Sequence, residues 1–260
     1  MPANLSQLYD LSGKDALVTG GARGIGAVIA QRLADAGARV QVHYRSSATE
    51  AEAVVAMIEA SGGTACAVRA DLTREADVEA LFEGLKAEGV APDILVNNAG
   101  IYPNASVMEM RQDDWQAMFD ANVTSTVLCT RAAAKGMKDT GRGGAIINIA
   151  SISGSIPGPE HSHYNSAKAA VIMFTRSAAQ ELGRFGIRVN SVSPGLVWRD
   201  TLETDWPQGL AAWCGKAPLG RVVMPQDVAH ACLFLASDAA SIISGQDLLL
   251  DGGMSAAAIY

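Results

Sequence analysis

Aromatic residues make up only 5% of the 260-residue chain, charged residues only 18%, and cysteine is confined to four scattered positions. Cys66, Cys129, Cys214 and Cys232 form no Cys-x-x-Cys pair and have no histidine at metal-ligand spacing. Free thiols in a reducing compartment are therefore expected, and no metal. No run approaches the roughly 18 apolar residues that a membrane helix needs. Positive charge is the scarcer sign. The net charge of −7, with no polybasic cluster, argues against a nucleic-acid partner or an anionic membrane surface. Residues Met1 to Asp10 lack the basic segment and apolar core of a secretory signal. Together these absences predict a cytoplasmic protein.

What remains is aliphatic. With 49% hydrophobic residues the chain can bury a full core, and residues 1–260 fit one α/β domain. Strands are predicted at Lys14–Thr19, Arg39–Tyr44, Thr64–Ala70, Asp93–Asn97, Ala145–Ala150, Ile187–Val192 and around Leu248–Leu250. Helical patterns separate them, at about Gly24–Ala36, Ala48–Ala60, Arg74–Glu88, Gln112–Lys138, Tyr164–Phe185 and Asp227–Ala236. A less regular stretch, Pro194–Pro225, interrupts the alternation. Strands alternating with helices of ten or more residues imply βαβ crossovers, hence a doubly wound parallel sheet with helices on both faces.

Two stretches carry chemistry. In Tyr164-Asn165-Ser166-Ala167-Lys168 the tyrosine and lysine stand four apart, so on a helix they share a face. A neighbouring ammonium favours phenolate and is expected to lower the Tyr164 pKa from its usual value of about 10. The other stretch is Thr19-Gly20-Gly21-Ala22-Arg23-Gly24-Ile25-Gly26, between the first strand and first helix. Glycines there allow a tight turn and bring a pyrophosphate close to backbone N–H groups at a helix N-terminus. The second strand ends Tyr44-Arg45-Ser46, with no acid to hold a ribose 2′-hydroxyl. The guanidinium groups of Arg23 and Arg45 suit a 2′-phosphate instead, which predicts NADP(H) over NAD(H).

With those residues stand Asp71-Leu72, Asn97-Asn98-Ala99-Gly100, Asn122, Ser151 and Pro194-Gly195. In this order the set resembles the short-chain dehydrogenase/reductase family along nearly the whole chain. The resemblance implies a Rossmann-like sheet of about seven strands, commonly a homotetramer, and a small carbonyl or alcohol substrate. It makes Tyr164 the general acid or base, Lys168 its partner and a ribose ligand, and Ser151 the hydrogen-bond donor to the substrate oxygen. The interval from Ser151 to Tyr164 selects Ser151 over Ser153 and Ser155. Asn122 would bend the long helix and hold a water leading to Lys168. The cofactor would run along Gly20, Arg23, Gly24, Ile25, Gly26, Tyr44, Arg45 and Ser46. It would continue past Asp71, Leu72, Asn98, Ala99, Gly100, Tyr164, Lys168, Pro194, Gly195 and Val197.

One departure stands out. Arg199 occupies the place of the family's usual threonine, leaving Thr201 to supply that hydroxyl to the cofactor. Tyr102 and Trp198 are candidate substrate walls. Trp198, Trp206 and Trp213 all fall in the loop after Pro194-Gly195, as a lid or an interface. His161 and His163 read as neutral loop histidines. Arg131, Lys135, Lys138 and Arg142 supply cations that fit a solvated face as well as a docking patch. Within the family, a 3-oxoacyl-thioester reductase is the leading expectation; polyol, sugar, steroid or small-ketone dehydrogenases using NAD(H) remain open. The competing class is a non-catalytic dinucleotide-binding sensor or scaffold.

Overall fold

A computed structural model describes residues 4–256. Seven parallel strands form one sheet: β1 (Asp15–Val18), β2 (Arg39–Tyr44), β3 (Thr64–Arg69), β4 (Ile94–Asn97), β5 (Gly144–Ile149), β6 (Ile187–Pro194) and β7 (Asp247–Leu250). Their order across the sheet is β3-β2-β1-β4-β5-β6-β7, so the winding reverses beside β1. Val18 is in register with Val42 of β2 on one side and Val96 of β4 on the other.

The period of two along each strand sorts side chains between two apolar layers. Ala16, Val18, Ile94, Val96, Ala145 and Ile147 face one layer, while Leu17, Leu95 and Ile146 face the other. Helices α2 (Gly24–Asp35), α3 (Ala48–Ala60) and α10 (Pro225–Ala236) cover the first face, burying Ile29, Leu33, Val54, Ile58, Val228 and Leu235. The second is covered by α4 (Glu75–Ala87), α6 (Ser125–Thr140) and α7 (Ser162–Leu182), through Val78, Leu81, Leu128, Met137 and Ala178. Both faces are dry, as an all-parallel sheet requires.

Three features differ from the sequence expectation. A short helix α1 (Leu5–Leu8) precedes β1, capped reciprocally by Asn4 and Gln7. That Asn-x-x-Gln spacing is a capping-box signal, legible in retrospect. The long helix expected from Gln112 to Lys138, with a local bend at Asn122, is divided into α5 (Gln112–Phe119), a π turn (Asp120–Thr124) and α6. The loop expected to be irregular contains α8 (Leu202–Asp205) and α9 (Pro207–Lys216), the latter started by Pro207 in its first turn. The four cysteines are free. No described helix is long and apolar enough to cross a membrane, and the described residues hold no cluster able to bind a metal ion.

Candidate active site

A cleft of about 730 Å³ runs across the C-terminal ends of β1 to β6, where the winding reverses. Its centre is the turn from β1 into α2, lined by Gly20, Arg23, Gly24, Ile25 and Gly26. Arg23 caps α2 without a side-chain hydrogen bond, leaving the helix's first N–H groups to a ligand. A Cβ on Gly26 would collide with the Gly20 carbonyl oxygen and lie 2.6 Å from Asn98 Nδ2. Only glycine lets the helix begin so close to the loop. Asn98 Nδ2 donates to the carbonyls of Thr19 (3.0 Å) and Gly20 (3.1 Å), and Thr19 Oγ1 accepts from the N–H groups of Asn98 and Ala99.

At one end of the cleft stand Tyr44, Arg45, Ser46, Asp71 and Leu72. Arg23 and Arg45 are exposed there. Asp71 Oδ1 accepts from the hydroxyl (2.7 Å) and N–H (3.1 Å) of Thr73. The Thr73 hydroxyl is the main reason the Asp71 carboxyl sits below its usual range, and the charge of Arg45 adds to this. Asp71 therefore both caps the strand end and faces the cleft.

At the other end the structure brings together Ser151, Tyr164, Lys168 and Asn122, with Asn98, Ala99 and Gly100 beside them. Ser151 follows β5 and is buried; its Oγ accepts from Ser153 N–H at 3.1 Å, which locks the side chain at the strand end. Tyr164 and Lys168 lie one turn apart on α7, the ammonium 5.6 Å from the centre of the phenol ring. Lys168 Nζ donates to the Ile149 carbonyl at 2.8 Å. Burial pushes the Tyr164 phenol above its ordinary pKa, against a lowering hydrogen bond with Ser151. Contrary to the expected lowering by Lys168, burial sets the direction for the phenol and Ser151 is what opposes it. The same desolvation brings Lys168 down to about 8.

The π turn explains Asn122. Its Nδ2 donates to the carbonyls of Met118 and Ile101, both at 3.0 Å, so the side chain wedges into the helix and ties it to the loop after β4. The opposite atom, Oδ1, is buried without a hydrogen-bond partner among the described residues. It faces Gly100, where a Cβ would collide with it and would stand 3.9 Å from Lys168 Nζ.

Pro194, Gly195, Val197, Trp198 and Tyr102 line the remaining wall. Thr201 does not reach the cleft, contrary to expectation. Its hydroxyl donates to Asp205 Oδ2 at 2.6 Å and accepts from Arg199 Nε at 3.3 Å, so α8 has claimed it. Trp206 is exposed, whereas Trp213 packs its ring against Gly195. His163 is not a loop residue: it lies in the first turn of α7, fully buried, with neither ring nitrogen hydrogen-bonded. Arg131 pairs with the exposed Glu75, as on a solvated face, whereas Arg142 reaches the buried Asp93 at 3.0 Å.

Residues 20–255 match a family model described as enoyl-(acyl carrier protein) reductase. A 3-oxoacyl-[acyl-carrier-protein] reductase from Synechocystis is 42% identical over 94% of this chain and 98% of its own length. The chain belongs to the short-chain dehydrogenase/reductase family. Among solved members, a gluconate 5-dehydrogenase from Burkholderia cenocepacia, in complex with NADP and tartrate, superposes with a TM-score of 0.93. It is 32% identical over 98% of this chain and all of its own. A 7α-hydroxysteroid dehydrogenase, complexed with NADH and 7-oxo glycochenodeoxycholic acid, gives 0.91 at 37% identity, covering 96% of this chain and 98% of its own.

As a member of this family the protein is an oxidoreductase acting on CH–OH and C=O groups with a nicotinamide dinucleotide. The cleft fits such a cofactor on its own geometry: open helix N–H groups, a close approach at Gly26, and two exposed guanidinium groups at one end that make no ion pair among the described residues. Two supports of this site have no signal in the sequence pattern. Thr19, just after β1, ties the loop after β4 to the glycine turn. His43 lines the cleft and hydrogen-bonds the same turn.

Proposed function

We propose that the protein is an NADP(H)-dependent carbonyl reductase whose preferred substrates are 3-oxoacyl thioesters. The observation that carries this reading is one cleft joining the Ser151–Tyr164–Lys168 group to a glycine turn flanked by Arg23 and Arg45. Bound there, the dinucleotide supplies the hydride. Tyr164, held neutral by burial, donates its proton to the substrate oxygen as that oxygen gains charge. Ser151 gives the same oxygen a second hydrogen bond, fixing it where charge develops. Lys168, behind the phenol, stabilises the phenolate left after transfer and reaches the ribose. Asn122 Oδ1, facing Gly100 close to Lys168 Nζ, holds a water that leads to Lys168, the route by which the proton given up by Tyr164 is replaced from solvent.

Arg23 and Arg45 bind the 2′-phosphate, and no carboxylate at the end of β2 competes for a free ribose hydroxyl. Tyr102 and Trp198 wall the acyl chain. The assembly is a cytoplasmic homotetramer, in keeping with exposed apolar groups such as Trp115 on α5 and Met173 on α7. The Synechocystis relative favours the thioester, while the gluconate and hydroxysteroid enzymes of like fold keep sugar acids and steroids as rivals.

A panel of 3-oxoacyl thioesters, sugar acids, steroid ketones and small ketones, each with NADPH and NADH, tests the reading. The highest kcat/KM is expected for a thioester with NADPH. A clear NADH preference overturns the cofactor choice, and a better steroid or sugar-acid substrate overturns the thioester. Dinucleotide binding with no turnover of any substrate makes the chain a sensor or scaffold.

A further inference from the structure

His43, in β2, is 2% exposed and takes no part in the chemistry proposed above. Its ring joins three segments that bound the dinucleotide end of the cleft. Nδ1 lies 3.1 Å from the Gly20 backbone nitrogen, and Nε2 lies 3.2 Å from the Ala70 carbonyl oxygen. Both partners are backbone groups whose roles cannot invert: Gly20 N–H only donates, and the carbonyl only accepts. Nδ1 must therefore be bare and Nε2 must carry the hydrogen. An imidazolium would set an N–H against an N–H, and burial duly depresses this histidine to about 4.

The Thr19–Gly20 peptide is consequently gripped from both sides. Asn98 of the β4 loop donates to its carbonyl, on Thr19, and His43 of β2 accepts from its N–H, on Gly20, while the neighbouring Gly21 N–H donates to the His43 carbonyl at 2.8 Å. Gly20 itself has a φ of +61°. A turn in that conformation has several orientations open to it, and the two clamps leave one. The carbonyl at the other end of the ring, Ala70, immediately precedes Asp71, and His43 immediately precedes Tyr44-Arg45.

We infer that His43 is a positioning residue for the dinucleotide, its neutral ring fixing the Thr19–Gly20 peptide against the strand ends that carry Arg45 and Asp71. This rests on the cofactor placement proposed above. It acts through the backbone, touching neither the reacting carbonyl nor the proton path.

Three variants separate the two hydrogen bonds from mere core filling. In His43→Asn the amide oxygen falls where Nδ1 was and still accepts from Gly20. In His43→Gln the amide reaches towards Ala70 but not Gly20. In His43→Leu both bonds go. Loss of the Gly20 bond is expected to raise KM for NADPH about tenfold or more in the Gln and Leu variants. The Asn variant should stay within about threefold of wild type, and kcat at saturating cofactor should change little in all three. Unchanged KM in the Leu variant, or equal damage in Asn and Leu, overturns the inference. A wild-type measurement covers the case of a variant that does not fold. Histidine labelled with ¹⁵N is expected to show one neutral ring protonated at Nε2 throughout pH 5–8, and a His43 that titrates in that range sinks the proposal. If wild-type protein binds no dinucleotide at all, the cofactor placement has failed rather than the role of His43.

Discussion

Burial acts on Tyr164 and Lys168 in the same sense, penalising whichever form is charged: the phenol rises and the ammonium falls to about 8. A neutral phenol is a proton donor waiting for an oxyanion. Tyr164→Phe keeps the ring and removes only that proton, so kcat should fall by about two to four orders of magnitude. KM for NADPH should hold within about threefold, and near-normal turnover would contradict the assignment. For Lys168, the unfolded chain binds more protons than the folded one between about 8 and the ordinary 10.5. Stability from this group therefore rises with pH across that window, and below it the desolvation cost, on the order of 3 kcal/mol, is present in full. Lys168→Met lacks this dependence. Relative to the variant, wild type should gain stability from pH 7 to pH 9.5 in urea titrations, and a constant difference would refute the burial argument. At the other end of the cleft, Arg45→Asp replaces a guanidinium with a carboxylate suited to a ribose hydroxyl. The ratio of kcat/KM for NADPH over NADH is expected to drop about 100-fold, the order of a lost charge-assisted bond.

At the level of elements, the site depends on how closely three segments approach: the start of α2, the loop after β4 and the π turn. Gly26 brings α2 against the Gly20 carbonyl, and a methyl group there meets backbone that cannot rotate away. Gly26→Ala is expected to raise KM for the dinucleotide at least about tenfold and to cost about 1–3 kcal/mol of stability from overpacking. Enzyme kinetics and thermal melts measure both, and a stable variant of unchanged KM would show that the loop has more room than the structure gives it. The π turn is the same principle in a helix. Asn122 spends its amide hydrogens on Met118 and Ile101, which leaves its oxygen towards Lys168. An ordinary α-turn would offer the side chain no such pair of carbonyls.

On the scale of the whole molecule, a sheet buried on both faces supplies stability that the cleft itself does not need to provide. The six strand ends that bound the cleft converge only in the folded chain, so dinucleotide binding is linked to folding. At 100 times its Kd a ligand stabilises by about 2.7 kcal/mol. Equal concentrations of NADPH and NADH should thus raise Tm unequally, NADPH more. The reverse order would contradict the roles given to Arg23 and Arg45. Light scattering is expected to give four times the 27.0 kDa chain mass, and a monomer would leave the exposed faces of α5 and α7 unexplained.

The alternation of strands and helices was legible in the chain because short apolar runs bounded by turn residues, and helical spacing, are local properties. Tyr164 and Lys168 were legible for the same reason, being four apart on one helix, and the glycine turn because glycine marks its own backbone need. The count of about seven strands and the identity of Ser151 and Asn122 came from the family resemblance, not from composition, and the order of the strands across the sheet came only with the fold. Thr201 and His43 lay beyond both. The Thr201 hydroxyl went to Asp205 because α8 formed where no helix was expected. His43 gained its place because Gly20 and Ala70, far away in sequence, close on its two nitrogens. Covalent order determines which residues can share a helix face or a turn. Which hydrogen bond a side chain makes, and how far burial moves its proton, was decided only when distant strands met and water left.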